Sequence, residues 1–311
     1  MDASLRFPAQ RRHDLLAFGD PTLDLLFAVA RPPAPDQKVL GRRLPAAAGG
    51  TVANVACAAA LLDRPTLAYG RVAADSDGQF LRREYTRFGV DTSCLRDVDG
   101  VLSPTAVVMI DAHGEKALVY APMPGPVLEH ATFASAAAQC RMVYAMPYSS
   151  PEFDTVHALC RAAGTVLAID IEAAMAPGPD QLHRLLARCD LAFMNDTTYR
   201  AIMGAAPDAQ QLAALLDHGA RMLVVSCGAR GAMLAAPGLA LAHAAFTAEV
   251  VDSTGAGDAF NGAFLAALLE GQEPAVALRF ACAAGSIAVT ATGARAALPT
   301  RAAIAAVLAD A

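Results

Sequence analysis

The sequence predicts an α/β fold built around a mainly parallel sheet, with a second, smaller sheet beside it. Three observations carry that reading. Short apolar runs alternate with longer Ala- and Leu-rich stretches of helical period, the rhythm of repeated βαβ units. With 55% hydrophobic and 17% charged residues over 311 positions, the chain holds ample core for one large domain. Two stretches, about 23–48 and 105–122, break the rhythm and read as insertions into a single domain spanning 1–311.

The first strand is DLLAFG, starting at Asp14, an apolar run of the kind that lies buried on both faces. The segment 23–48 follows, extended and Pro-bearing, with no helical period. A small-residue helix is expected over 51–62, then a strand in TLAYGRV and a helix over 78–88. Residues 105–122 read as a hairpin with His113-Gly114 near its turn. With 23–48 they make a small sheet standing off the main one as a lid. The strands MVYAM, TVLAID, LAFMN and MLVVSCG come next, with helices over 151–163 and 208–218 among them. Helices over 259–269 and 274–289 lie near the end.

Several function classes fall away on composition. A net charge of -6 argues against a nucleic-acid partner, which would call for a basic surplus. Lysine occurs only at Lys38 and Lys116, and no Lys completes a G-x-x-x-x-G-K-[ST] phosphate loop. The seven cysteines (57, 94, 140, 160, 189, 227 and 282) never form C-x-x-C, which suits reduced thiols in the cytoplasm. The seven histidines show no paired ligand spacing. The opening stretch lacks the basic–apolar–small order of a signal peptide, and no run approaches the roughly 18 apolar residues of a membrane span. A cytoplasmic protein without membrane contact is expected.

The stretch VVDSTGAGDAFNGAFLAALLE, Val250 to Glu270, concentrates the chemistry. A strand-like start, a Gly-rich turn and a helix present free backbone N–H groups to an anion, and the helix dipole adds partial positive charge there. Gly255, Ala256 and Gly257 lack bulk and admit a phosphate close to the backbone. Asp258 crowds such an anion, which makes sense where an alcohol must lose a proton while attacking a phosphoryl group. A carboxylate of ordinary pKa, about 3.9, accepts that proton only as the new bond forms. A capped helix start without a ligand is the competing reading of the same residues. A dinucleotide fingerprint is disfavoured, because G-x-G-x-x-G needs Gly where Phe260 stands.

DSTGAGDAFNGAF resembles the second signature of the ribokinase-like (PfkB) carbohydrate kinases, D-T-x-G-A-G-D followed by F-x-x-G, with Ser253 where Thr is usual. AAGGTVANVACAAALL resembles the first signature, a Gly pair followed by Asn and a small-residue helix. Order, spacing and length also agree, so the resemblance spans essentially the whole chain. It implies a three-layer α/β/α domain with a small β-sheet lid, and transfer of the γ-phosphoryl of ATP, with Mg2+, to a hydroxyl of a sugar or nucleoside. By resemblance Asp258 is the base, and Gly255, Ala256 and Gly257 form the anion hole. Asp252, Thr254 and Gly293 match positions near a monovalent-cation site for K+ and the phosphates; a structural turn carboxylate is the alternative for Asp252.

The acceptor side carries over to Asp24, with Thr22 before it, and to Gly50 and Asn54. A carboxylate accepting two hydroxyl donors reads a diol; an exposed loop carboxylate and a bare strand-to-helix turn are the alternatives. The nucleotide side carries over to Asn195, Ser226, Gly228 and Gly231, with Arg230 adding charge, against an ordinary Gly-closed hairpin. Cys282 falls on the base-pocket helix but reads better as core. One departure stands out. After LAFM the family has N-x-x-E, and Thr198 stands in place of the Glu that helps order magnesium-bound waters. Asp196 offers a carboxylate from a shifted position, and loss of that Glu leaves open a non-catalytic binding protein.

An unphosphorylated sugar or sugar acid is favoured as acceptor, because Thr51 adds no charge at the first signature, although Arg42 and Arg43 are near. A nucleoside would need an apolar wall, for which Tyr120, Met123 and Tyr148 are candidates. A lid with one apolar face must close on substrate or pair with a second lid, so a homodimer through the lid is expected.

Overall fold

The run HDLLAF forms strand β1 (His13–Phe18), and all six of its residues are buried. A strand covered on both faces is characteristic of the interior of a parallel sheet, with a neighbour on each side. It has them in β5 (Thr66–Ala73) and β9 (Cys140–Ala145). The structure is a computed structural model and describes residues 5–112, 116–148 and 150–310. Between β1 and β5 lie β2 (Thr22–Val29), β3 (Gly41–Arg43), β4 (Ala47–Gly49) and helix α1 (Thr51–Leu61). Helix α2 (Ser76–Arg87), β6 (Asp91–Val98), β7 (Thr105–Ile110), β8 (Lys116–Ala121) and α3 (His130–Ala138) precede β9. The chain continues through α4 (Ser150–Ala163), β10 (Val166–Asp170), α5 (Pro179–Leu186), β11 (Leu191–Asn195), α6 (Asp196–Met203) and α7 (Ala209–Leu215). It then forms β12 (Met222–Ser226), β13 (Ala232–Ala236), β14 (Leu239–His243), α8 (Ala256–Leu269), α9 (Pro274–Ala288) and α10 (Arg301–Ala309).

The large sheet has the order β14-β13-β12-β11-β10-β9-β1-β5-β6 and is parallel up to β12, with β13 and β14 added antiparallel. Side-chain alternation sends successive residues to opposite faces. Leu15, Ala17, Tyr144, Ala168, Phe193 and Val224 pack with α1, α2, α8 and α9. Leu16, Phe18, Val143, Ile169, Ala192 and Val225 pack with α3 to α7 on the other side. This is the expected helix–sheet–helix sandwich. The second sheet runs β3-β2-β7-β8, with β4 also on β2, so the two rhythm-breaking stretches do pair with each other. His113-Gly114, expected at the hairpin turn, lies outside the described residues.

One expectation fails. Val250 and Val251 are not strand residues but exposed connection, at 68% and 56% accessibility. The sheet already ends at β14, and the amides of Val251 and Asp252 both donate to Val289 O at the end of α9. Elements such as β6 and α5 were not anticipated. In β6 only Leu95 is fully buried, so an edge strand of mixed polarity lacks the apolar run that marks the central strands.

Candidate active site

In β1 the chain meets β5 on one side and β9 on the other, and sequence order runs away from it in both directions. Such a switch point leaves a crevice at the carboxyl ends of the strands. A cavity of about 820 Å3 opens there, beneath β7 and β8 of the small sheet. It gathers Thr22, Asp24, Gly50, Asn54, Thr254, Gly255 and Asp258 from segments far apart in the chain.

Helix α8 delivers Asp258. Gly255 sits before it with φ +74, and a Cβ there would fall 2.7 Å from Ala294, so glycine is required on both counts. The Ala256 amide makes a turn bond to Ser253 O at 3.3 Å, while the amides of Gly257 and Asp258 lie in the first turn, where a helix supplies no acceptor. One turn after Asp258, Gly262 lets α1 approach so closely that a Cβ would fall 2.6 Å from the Cβ of Ala58. Asn54 lies one turn before Ala58, so this contact brings Asn54 to Asp258. Asn54 Nδ2 donates to Asp258 Oδ2 at 2.7 Å.

Burial pushes the Asp258 carboxyl up to about 6, with Asn54 and the Arg295 charge opposing the shift. Asp24, half-buried in β2, also stands at about 6, raised by burial and, less, by Asp258, with Arg295 opposing. Its carboxylate lies directly over Gly49, where an added Cβ would be 2.2 Å from Oδ2. A carboxyl at about 6 is a better proton acceptor than the ordinary carboxylate the motif suggested. Behind Asp258, Asp170 at the end of β10 accepts from Tyr144 Oη and Asn261 Nδ2, each at 2.9 Å. Burial raises it to about 7.

Asp252 is of another kind. Lys116 Nζ (2.6 Å), Thr254 N (2.9 Å) and Thr254 Oγ1 (2.6 Å) all donate to its Oδ1, and Gly293 N donates to Oδ2 at 2.9 Å. Burial would raise its pKa, but these donors outweigh burial and hold the carboxyl well below the usual range. Asp252, Thr254 and Gly293 are thus together, as expected. The side-chain oxygens of Asp252 and Thr254 do not fit a potassium ion in this arrangement, because the Lys116 ammonium already sits on the Asp252 carboxylate.

The cavity does not include Asn195, Ser226, Gly228 or Gly231. These residues are nevertheless neighbours. Asn195 and Ser226 pair in register at the ends of β11 and β12. A short turn follows, with Gly228 at φ +56, and Gly231 passes so near β14 that a Cβ would fall 1.9 Å from His243 O. Cys282 is buried there and packs in the core. Asn195 caps α6 by accepting from Thr198 N at 2.7 Å, and Thr198 is buried. Asp196 does not stand free to replace the missing Glu, since Arg230 and Arg200 both pair with it. Among the described residues no three His, Cys, Asp or Glu side chains could together hold a metal ion.

Two groups escaped the sequence reading. Asp20 and Arg71 form a buried ion pair at 2.7 Å in the cavity wall, and Arg71 also binds the carbonyls of Met123 and Pro124. Arg295, beneath the cavity, donates to Asn54 and to Gly49 O. Neither belongs to a local pattern; their partners lie 51 and 241 positions away.

A model described as pfkB family carbohydrate kinase matches residues 12–301. Ribokinase of Haemophilus influenzae is 27% identical over 303 residues, covering 93% of this chain and 96% of that protein. Fructokinase of Klebsiella pneumoniae is 31% identical over 303 residues, covering 90% and 94%. Arabidopsis thaliana ribokinase complexed with ribose and ATP matches in structure with a TM-score of 0.82 at 25% identity, over 95% of this chain and 98% of that one. With the motifs, the fold and these likenesses in agreement, the chain belongs to the pfkB family of carbohydrate kinases.

Proposed function

We propose that this kinase moves the γ-phosphoryl of ATP to a hydroxyl of an unphosphorylated sugar or sugar acid, with Asp258 as general base. The observation that carries this reading is the position of Asp258: the first turn of α8, pinned by Asn54, in one cavity with Asp24 and Thr22. Asp24 accepts two acceptor hydroxyls and orients a third toward Asp258. The attacking oxygen bonds the γ-phosphorus as its proton passes to Asp258. The bond to the β-phosphate oxygen breaks, and ADP leaves with that electron pair. The amides of Gly257 and Asp258, with the Gly255–Ala256 turn, face the developing charge. Asn195, Ser226, Gly228 and Gly231 line the path of the nucleotide, which brings Mg2+ with it.

A nucleoside acceptor is the second reading. Tyr120 and Tyr148 line the same cavity with Met123, which supplies a wall for a base. The small sheet acts as the lid in either case. Its outer side carries the exposed Val119 and a groove of about 840 Å3 lined by Leu23, Leu25, Phe80 and the exposed Leu102. A homodimer through the lid would cover that face, and a strictly monomeric mass in solution would remove this part. The free cysteines suit a cytoplasmic enzyme.

The test is ADP release from magnesium-ATP across sugars, sugar acids and nucleosides. Strong stimulation by a sugar or sugar acid supports the reading, and by a nucleoside the second one. No stimulation by any hydroxyl acceptor would remove both.

A further inference from the structure

Arg295 is a charged residue in the core that the proposed chemistry does not use. It is only 9% exposed, follows the turn at Gly293, and lies with its guanidinium 5.8 Å from the ring centre of the fully buried Tyr85. A buried guanidinium ordinarily meets a carboxylate in a two-pronged pair. This one instead donates Nε to Asn54 Oδ1 at 2.8 Å and Nη2 to Gly49 O at 3.1 Å, while Nη1 has no partner among the described residues.

The chemistry of donors settles which way the Asn54 amide faces. Arginine only donates, so the atom it meets must be the amide oxygen. The amide nitrogen is then turned to Asp258, whose Oδ2 it bonds at 2.7 Å. One oxygen of the base is committed to this bond, and Oδ1 is left for the acceptor hydroxyl. The same guanidinium grips Gly49 O, and Gly49 lies under the Asp24 carboxylate. One side chain therefore braces the support of the base and the floor of the acceptor site together.

We propose that Arg295 is a positioning residue for phosphoryl transfer, acting through the amide of Asn54 to fix the orientation of Asp258 and through Gly49 to seat Asp24. This rests on the kinase reading above, with Asp258 as base. A small misplacement of a reacting group is enough to lower a rate by about 10²-fold. The loss should therefore appear in kcat and in the acceptor KM, and leave the KM for ATP alone.

The experiment compares Arg295→Lys, Asn54→Leu and the double variant, measuring kcat and both KM values with the best acceptor. Lysine keeps the buried charge but cannot bond Asn54 Oδ1 and Gly49 O from one plane. Arg295→Lys should lower kcat by about 10- to 100-fold with the ATP KM within about twofold. In the Asn54→Leu background the same change should lower kcat by less than about threefold, because the intermediary is already gone. Equal losses in both backgrounds, or a loss confined to the ATP KM, would overturn the proposal. Arg295→Met, followed by thermal unfolding, separates positioning from folding: Arg295→Lys losing turnover while unfolding within a few degrees of the wild type supports positioning. Matching losses of turnover and folded protein in both variants would contradict it. A wild-type protein inactive on every acceptor would instead count against the kinase reading itself.

Discussion

Lys116 Nζ lies 2.6 Å from Asp252 Oδ1, so an ion pair ties a strand of the small sheet to the turn that begins α8. The two side chains are 26% and 11% exposed, a partly screened pair worth up to about 1 kcal/mol. Lys116→Met should therefore raise the acceptor KM about fivefold at low salt and leave thermal stability nearly unchanged. Added salt should weaken acceptor binding in the wild type and much less in the variant. Because the ammonium already answers Asp252, the wild-type rate should be the same in KCl and NaCl at equal ionic strength. Steady-state kinetics in the two salts checks both points, and clear stimulation by KCl would contradict this account of Asp252.

Asp24 and Asp258 predict the pH profile. Both stand at about 6 through burial, and both act as carboxylates. The rate constant kcat/KM for the acceptor should rise with pH, reach half its maximum near 6 and flatten above about 7. The midpoint belongs to the pair, since the two carboxylates influence each other. A profile flat down to pH 4.5 would exclude Asp258 as the base.

The same shift has a consequence for stability. Both groups titrate higher in the folded chain than an ordinary aspartate at 3.8, so their contribution is fully present below that value and is lost as pH rises through 6. Asp258→Asn should stabilise the protein at pH 8 on the order of 1–2 kcal/mol and by nothing measurable at pH 4. Thermal unfolding at the two pH values reads this directly.

Gly49→Ala isolates the acceptor site. The added Cβ would lie 2.2 Å from Asp24 Oδ2, so the carboxylate has to move. Overpacking of this kind costs roughly 1–3 kcal/mol, which should appear as an acceptor KM raised about 10- to 100-fold with the ATP KM unchanged. An unaltered acceptor KM would show that Asp24 does not touch the acceptor.

How much of this was legible in the sequence depends on distance along the chain. The central strands announced themselves because a strand buried on both faces, such as His13–Phe18, is apolar throughout. The Gly255–Asp258 turn was legible because its parts are consecutive and only glycine tolerates φ +74 beside Ala294. Val250 and Val251 misled, since apolar residues also cover exposed connections. Asp20–Arg71, Lys116–Asp252 and Arg295–Asn54 left no mark, because each pair is made by folding across 51, 136 and 241 positions. The raised carboxyls of Asp24 and Asp258 likewise come from burial that only the assembled cavity creates.

The most direct test of the central claim is single-turnover phosphoryl transfer by Asp258→Asn, with saturating acceptor and magnesium-ATP. Asparagine keeps the size of the side chain and its place beside Asn54 but cannot take the proton. The account predicts a transfer rate lower by about 10²- to 10⁴-fold with ATP affinity retained. Transfer within tenfold of the wild-type rate would mean that Asp258 is not the base.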